Sequence, residues 1–304
     1  VNDSEFEGIA GEPSSIAYVG QIGSVTANSA GTTLSIPVGS AGVSVGNTII
    51  VGFASRGAAT YNEPTIADTA GNTYHLATYA VTYQHGRSYI YYAHVEYPLV
   101  SGNSIIITTS SLSSRVAVAA EFSGLLEVDV LDQALGYPDP EDQATEQGNN
   151  PSVGPTGTTI QANELIVGVI GTEEASDAGV GTWLNDFTAG PQVKTSGASY
   201  EWRVSMGYKI VAETGEFTAA KTVTNNPYWA ASIATFKAGA AGQTHTLTTA
   251  VAPASSGTIT PAAGSHTYAE GAVVDVTAAG ATGYAFDHWS GACTGSGTCQ
   301  VTMT

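Results

Sequence analysis

Basic residues are scarce in this chain. Its 304 residues carry 8 Lys and Arg against 26 Asp and Glu, a formal net charge of -18. Nucleic acid and anionic membrane surfaces both need basic patches that displace counterions. Neither is therefore an expected partner. Long apolar runs are missing as well. None approaches the ~18 residues of a membrane-spanning helix, so membrane insertion is not expected. Yet hydrophobic residues make up 42% of the chain, which is too many for a disordered one. Helical periodicity is also absent: no stretch places apolar residues at i, i+3, i+4 and i+7 over three turns. There is no initiator Met and no apolar leader, since the chain begins Val1-Asn2-Asp3-Ser4-Glu5. A secreted chain whose signal peptide has been removed would begin this way, and so would a trimmed one. The acidic, Thr/Ser/Gly-rich composition suits an extracellular or cell-surface location.

What the chain does have is the punctuation of an all-β protein. Short Val/Ile/Thr/Tyr runs alternate with Gly, Asn, Pro and Ser clusters. The runs predict strands at 31–38, 48–55, 73–82, 88–94, 104–110, 115–122, 164–170, 200–210, 219–224 and 229–236. A weak internal repeat joins them. GTTLSIPV (Gly31–Val38) leads to NTIIVGF (Asn47–Phe53), as GTTIQ (Gly157–Gln161) leads to NELIVGV (Asn163–Val169). The two copies end alike, in RVAVAAEFSG (Arg115–Gly124) and YWAASIATFKAG (Tyr228–Gly239). This gives an arm at 1–15, a β-sandwich region at 16–239 with halves at about 31–125 and 157–239, a linker at 240–246 and a module at 247–304. The sandwich is expected as a jelly roll or as paired Ig-like halves. One large sandwich is favoured, because neither half alone clearly has strands enough to cover both faces.

Two cysteines, Cys293 and Cys299, flank the turn sequence Thr-Gly-Ser-Gly-Thr. A zinc site wants three or four ligands, and His288 is the one nearby third candidate. A redox pair would typically be Cys-x-x-Cys beside a βαβ unit. A Gly-Ser-Gly reversal instead brings the flanking residues opposite each other, within disulfide reach. A disulfide is expected, and with it an oxidising compartment.

Other constellations carry less chemistry. Gly42-Val-Ser-Val-Gly46 matches the nucleophile-elbow pattern but sits in a turn before a strand, with no helix after it. His75, His85 and His94 could converge on adjacent strands as metal ligands. Carboxylates cluster at Asp139, Glu141, Asp142 and Glu146, and again at Glu173, Glu174 and Asp177. The first cluster, through Asp139, Glu141 and Asp142, is the candidate calcium site, although neither has EF-hand spacing. No acid pair announces a glycosidase, and no other cofactor is expected. Tyr83, Tyr89, Tyr91, Tyr92 and Tyr97 gather around one strand. Both strand parities carry Tyr, so Tyr83, Tyr89, Tyr91 and Tyr92 are the candidate aromatic face for glycan stacking or a subunit contact.

The stretch SGTITPAAGSHTYAEGAVVDVTAAGATGYAFDHWSGACTGSGTCQVTM, within about residues 244–304, resembles the divergent internalin-B-type repeat of bacterial surface proteins. Tyr268, Gly271, Val274, Val276, Gly283, Tyr284, Phe286, Trp289, Ser290 and Gly291 carry the likeness. The resemblance implies a small β-grasp-like module used as a spacer or adhesive stalk. Repeats of this kind continue past the Val-Thr-Met strand into one more strand, so an unpaired edge is expected here. Residues 14–239 resemble an all-β module of secreted bacterial and phage-tail-like proteins. Asp68-Thr-Ala-Gly-Asn-Thr-Tyr74, Ser88-Tyr-Ile-Tyr-Tyr92, Ala119–Leu125 with Leu131–Gln133, and Ala162–Ile166 carry that likeness, and it implies no activity. The expected function is a non-enzymatic structural or adhesive surface protein that self-associates, as a filament subunit built by strand exchange between neighbours. The alternative is a carbohydrate-binding module that recognises surface glycans.

Overall fold

The strand-forming runs become strands, and no helix occurs among the described residues. The computed structural model describes residues 15–56, 63–82, 86–138, 146–174, 181–197, 201–239, 244–269 and 273–303. Residues 1–14 of the expected arm and 240–243 of the expected linker lie outside them. The chain divides into a large unit ending at Gly239 and a small unit from Ala240 to Thr304.

The large unit opens with eight strands: β1 (Ala17–Ala27), β2 (Gly31–Pro37), β3 (Thr48–Arg56), β4 (Thr65–Asp68), β5 (His75–Thr82), β6 (Gly86–His94), β7 (Ser104–Leu112) and β8 (Arg115–Ser123). Eight more follow: β9 (Leu131–Tyr137), β10 (Ser152–Val153), β11 (Glu164–Glu174), β12 (Thr182–Trp183), β13 (Thr188–Lys194), β14 (Glu201–Val211), β15 (Ala219–Thr222) and β16 (Tyr228–Lys237). The first eight form a five-stranded sheet, β1-β8-β3-β6-β5, and a three-stranded sheet, β2-β7-β4. The second eight repeat both orders: β9-β16-β11-β14-β13 and β10-β15-β12. Each half is thus its own two-layer sandwich. The preference for one large sandwich is corrected, since the described residues of the unit form four sheets, two in each half. The short strands β4, β10 and β12, which the sequence pattern did not show, complete the outer covers.

Three cores follow from this layering. Ile36, Val51, Phe53, Tyr89, Tyr91 and Ile105 fill the outer core of the first half. Ile166, Ile170, Trp229 and Ile233 fill that of the second. Between the two five-stranded sheets lies a shared core containing Ile50, Ile90, Phe122, Val167, Trp202 and Phe236. The aromatic contacts across it come in a symmetric pair. Tyr92 meets Phe236 edge-on, with ring centroids 5.5 Å apart, and Tyr208 meets Phe122 in the same way at 5.4 Å. In register, Thr48 pairs with Phe122 and Leu165 pairs with Phe236. Phe122 therefore corresponds to Phe236, and Tyr92 to Tyr208. Residue i touches j while j's counterpart touches i's, the signature of a two-fold interface. The two halves pack as a homodimer would, within one chain.

The same register exposes a slip in the sequence repeat. Matching NTIIVG to NELIVG aligns Ile50 with Ile166. In the structure Thr48 corresponds to Leu165, so the letters are one residue out of step. A one-residue shift in a strand exchanges its faces. Ile50 accordingly faces the shared core and Ile166 the outer one.

The small unit has β17 (Thr244–Thr249) paired with β19 (Gly264–Ala269), and β18 (Gly257–Thr260), β20 (Val273–Gly280) and β21 (Cys299–Thr302) in a second sheet ordered β18-β20-β21. β17 begins inside the segment expected as linker. Val274, Val276, Cys299 and Met303 are its buried core, with Leu247, Ile259, Tyr268, Trp289 and Val301 partly buried around them.

Candidate functional site

Only a thin core holds the small unit, and its sheets leave a groove of about 430 Å3 lined by Leu247, Ile259, Val276, Tyr284, Phe286 and Trp289. The segment after β20 builds one wall. Gly283 turns the chain with φ +88°, a conformation that suits residues without a Cβ. Tyr284 then stays 58% exposed and Phe286 40% exposed. Phe286 packs on Trp289 with centroids 4.7 Å apart. Trp289 is anchored to the cysteine loop twice: its backbone N–H donates to Gly295 O at 2.7 Å and its indole Nε1 to Gly297 O at 2.8 Å.

Cys293 and Cys299 form the expected disulfide, with their Cα atoms 5.6 Å apart. The bond closes the loop that positions Trp289, so it shapes the groove wall. His288 is exposed and lies 3.0 Å from the carboxylate of Asp287, its neighbour in the chain. It takes no part in the disulfide loop.

The tyrosine face is corrected. Tyr89 and Tyr91 are 1% and 3% exposed. Both lie in the first outer core, where Tyr89 stacks with Phe53 and Tyr79. Tyr91 donates its hydroxyl to Pro64 O at 2.6 Å. Tyr92 points the other way, into the shared core. Both parities of β6 carry Tyr because both faces of its sheet are covered, not because one is open. Tyr83 lies outside the described residues. So do His85, Asp177 and the calcium candidates Asp139, Glu141 and Asp142. His75 packs on Tyr92, and His94 lies 4.0 Å from Glu127. Among the described residues no three metal-binding side chains converge. Ser44 lies in the turn before β3, where its backbone N–H donates to Glu121.

A second, smaller cleft of about 200 Å3 opens beside Trp183, Gln192, Met206 and Lys221 in the second half. Sequence reasoning missed it. Lys221 is 2% exposed, donates to Ser205 Oγ at 2.7 Å and lies 5.8 Å from the Trp183 ring centre. Trp183 also stacks with Phe187, ring centroids 5.7 Å apart, and lies against Gly168 and Gly207, where added Cβ atoms would come within 3.2 and 2.5 Å of the indole. Surrounded by Lys221, Phe187, Gly168 and Gly207, Trp183 serves packing. The one available signal was a Lys inside an alternating Ala/Thr/Val run, in a chain with few basic residues.

The aromatic groove, not the tyrosine strand, is thus the surface suited to a ligand or a neighbour. Residues 247–304 match the family model of the divergent InlB B-repeat domain. The groove and the disulfide loop lie inside that match. No curated protein and no solved structure matches the chain. The resemblance expected for residues 14–239 gains no support. The match supports reading the chain as a bacterial surface protein. No helix among the described residues is long and apolar enough to cross a membrane.

Proposed function

We propose that the protein is a non-enzymatic structural and adhesive component of a bacterial surface, and that its C-terminal module joins it to neighbouring copies. The open aromatic groove carries this reading. Small domains bury too little surface to be stable without staples or partners. This one has a single disulfide and keeps Tyr284 and Phe286 in water. Contiguous exposed apolar surface of this kind marks interaction sites. A head-to-tail contact through it builds an open filament when its rotation does not close into a ring.

Sedimentation velocity over a concentration series tests the reading, with electron microscopy of the same samples. Association is expected to grow with protein concentration. It is also expected to strengthen with salt, because copies of net charge -18 repel one another and salt screens that repulsion. Tyr284→Ser with Phe286→Ser should abolish it. A monomer at every concentration and salt level, with no filaments in the microscope, would sink the idea.

The same groove favours a second reading, carbohydrate binding, because aromatic walls suit sugar rings. Binding on a glycan array that is lost with Phe286→Ala would support it. A blank array with folded protein would remove it.

A further inference from the structure

Where the chain crosses from the first half to the second, four elements meet: the start of β9, the 157–163 loop, the start of β11 and the end of β16. Glu164 sits at this crossing and is 0% exposed. Neither of its carboxyl oxygens makes a well-formed hydrogen bond. Two groups lie near enough to act on it, Asp132 of β9 and Thr235 of β16. Asp132 is well supplied with donors: its Oδ2 accepts the Ile160 N–H at 2.7 Å and its Oδ1 accepts Gln133 Nε2 at 3.0 Å. The Gln133 N–H in turn donates to Thr235 Oγ1 at 3.1 Å.

The first half offers an internal control. By register, Asn47 and Glu121 stand where Glu164 and Thr235 stand in the second half. There the acid has donors: Glu121 Oε1 accepts from Asn47 Nδ2 at 2.6 Å and from the Ser44 N–H at 2.9 Å. In the second half the acid has moved to the other strand, lost those donors and gained an acid as its neighbour.

We propose that Glu164 keeps a proton and donates it in a hydrogen bond to Asp132, and that this proton is a pH-operated latch holding β9 and the 157–163 loop onto β11 and β16. Glu164 is fully buried without a well-formed hydrogen bond, whereas half-buried Asp132 already accepts two, so the proton belongs on Glu164, which can then donate to Asp132. Ionising Glu164 would place a charge in a site closed to water and beside a second carboxylate. The charged groups that bear on Glu164 are Asp132 from β9 and Lys237 from β16. Its partner on β14 is the apolar Val211. Burial is the largest influence on Glu164 and raises its pKa from 4.5 to about 7; Asp132 adds to the rise, while Thr235 and Lys237 oppose it. A folded value above the unfolded one gives stabilisation that is full below pH 4.5 and is lost as pH rises through about 7. The latch therefore closes in mild acid and loosens in mild base.

Hydrogen exchange on the full chain tests this, with each rate taken relative to the unstructured rate at the same pH. Between about pH 5 and about pH 8.5, protection of Leu131–Tyr137 should fall by roughly tenfold or more. In Glu164→Gln, a neutral isostere that can still donate to Asp132, protection should be high and equal at both pH values. Asp132→Asn should weaken the dependence without removing it, because the burial of Glu164 is the larger influence and remains. An infrared band from a buried protonated carboxyl should disappear over the same range in the wild type and be missing in Glu164→Gln. Flat protection in the wild type would overturn the latch, and so would an unchanged pH response in Glu164→Gln. Protection restored at high pH by added calcium would also overturn it, since a metal cation would then be what closes the pair.

Discussion

Asp68 accepts five hydrogen bonds. They come from the N–H groups of Ala70, Gly71 and Asn72, from Asn72 Nδ2, and from the Tyr74 hydroxyl. Asn72 passes the tie onward, accepting the N–H groups of Glu96 and Tyr97 at 2.9 Å. The sequence DTAGNTY is therefore a clamp that fixes the β4–β5 turn against the end of β6. Burial and the Asp68 carboxylate both push the Tyr74 phenol upward, so it stays neutral and donating. Asp68→Ala should cost about 2–3 kcal/mol, since hydrogen bonds to a charged group are the strong ones. For a unit of this size that lowers Tm by roughly 4–12 °C, as a thermal melt would show. In the sequence the motif stood out only as one of the pieces carrying the resemblance of residues 14–239, and its role did not show. An Asp followed by Gly and Asn reads equally as a turn clamp or as a cation loop, and only the closed set of donors decides between them. Tyr89 and Tyr92 make the same point. Their alternation was legible, yet which sides of the strand are covered depends on sheets far away in the chain.

At the level of elements, strand existence was easier to read than strand partnership. The long apolar strands β3, β8, β11 and β16 stand out because they are buried on both faces and so are apolar at consecutive positions. Strands β4, β10 and β12 are two to four residues long, too short for any period to show. β1 and β9 border their sheets and carry mixed, half-buried patterns that resemble loops. The paired endings of the repeat were a true signal, whereas the letters at its start were one residue out of step. The disulfide loop was legible because its turn and both its ends lie within a few residues; the groove it shapes depends on how two sheets meet. Packing between the halves gives the sharpest test at this scale. Gly86, at the start of β6, has its missing Cβ position 1.8 Å from the Trp202 ring. Trp202 is 0% exposed, and its indole uses the space that a side chain would take. Gly86→Ala should destabilise the large unit by about 1–3 kcal/mol or more, the usual cost of overpacking a filled core. Trp202→Phe should recover part of the loss in the Gly86→Ala background while being destabilising alone. Denaturant melts of the four proteins measure that coupling.

For the whole molecule, the two-fold contact and the division after Gly239 together predict how the chain unfolds. The halves share Phe122, Trp202, Val204 and Phe236 in one continuous core, so neither can lose its packing without exposing the other. They should melt in one cooperative transition although the sequence repeats. Phe122→Ala and Phe236→Ala remove symmetry-related rings. Each should cost about 3–5 kcal/mol, and each should move the whole transition rather than split it. The small unit rests on its own few buried residues and the Cys293–Cys299 bond. It should give a separate, weaker transition. Opening a loop this short removes about 2 kcal/mol, a large share of what so small a core can supply. Scanning calorimetry with and without a thiol reductant reads both outcomes at once. Reduction should lower or erase the minor transition and leave the major one in place, while the two Phe variants do the reverse. A single transition that shifts with either treatment would mean that the units stabilise each other, and the module could not then be an independent connector.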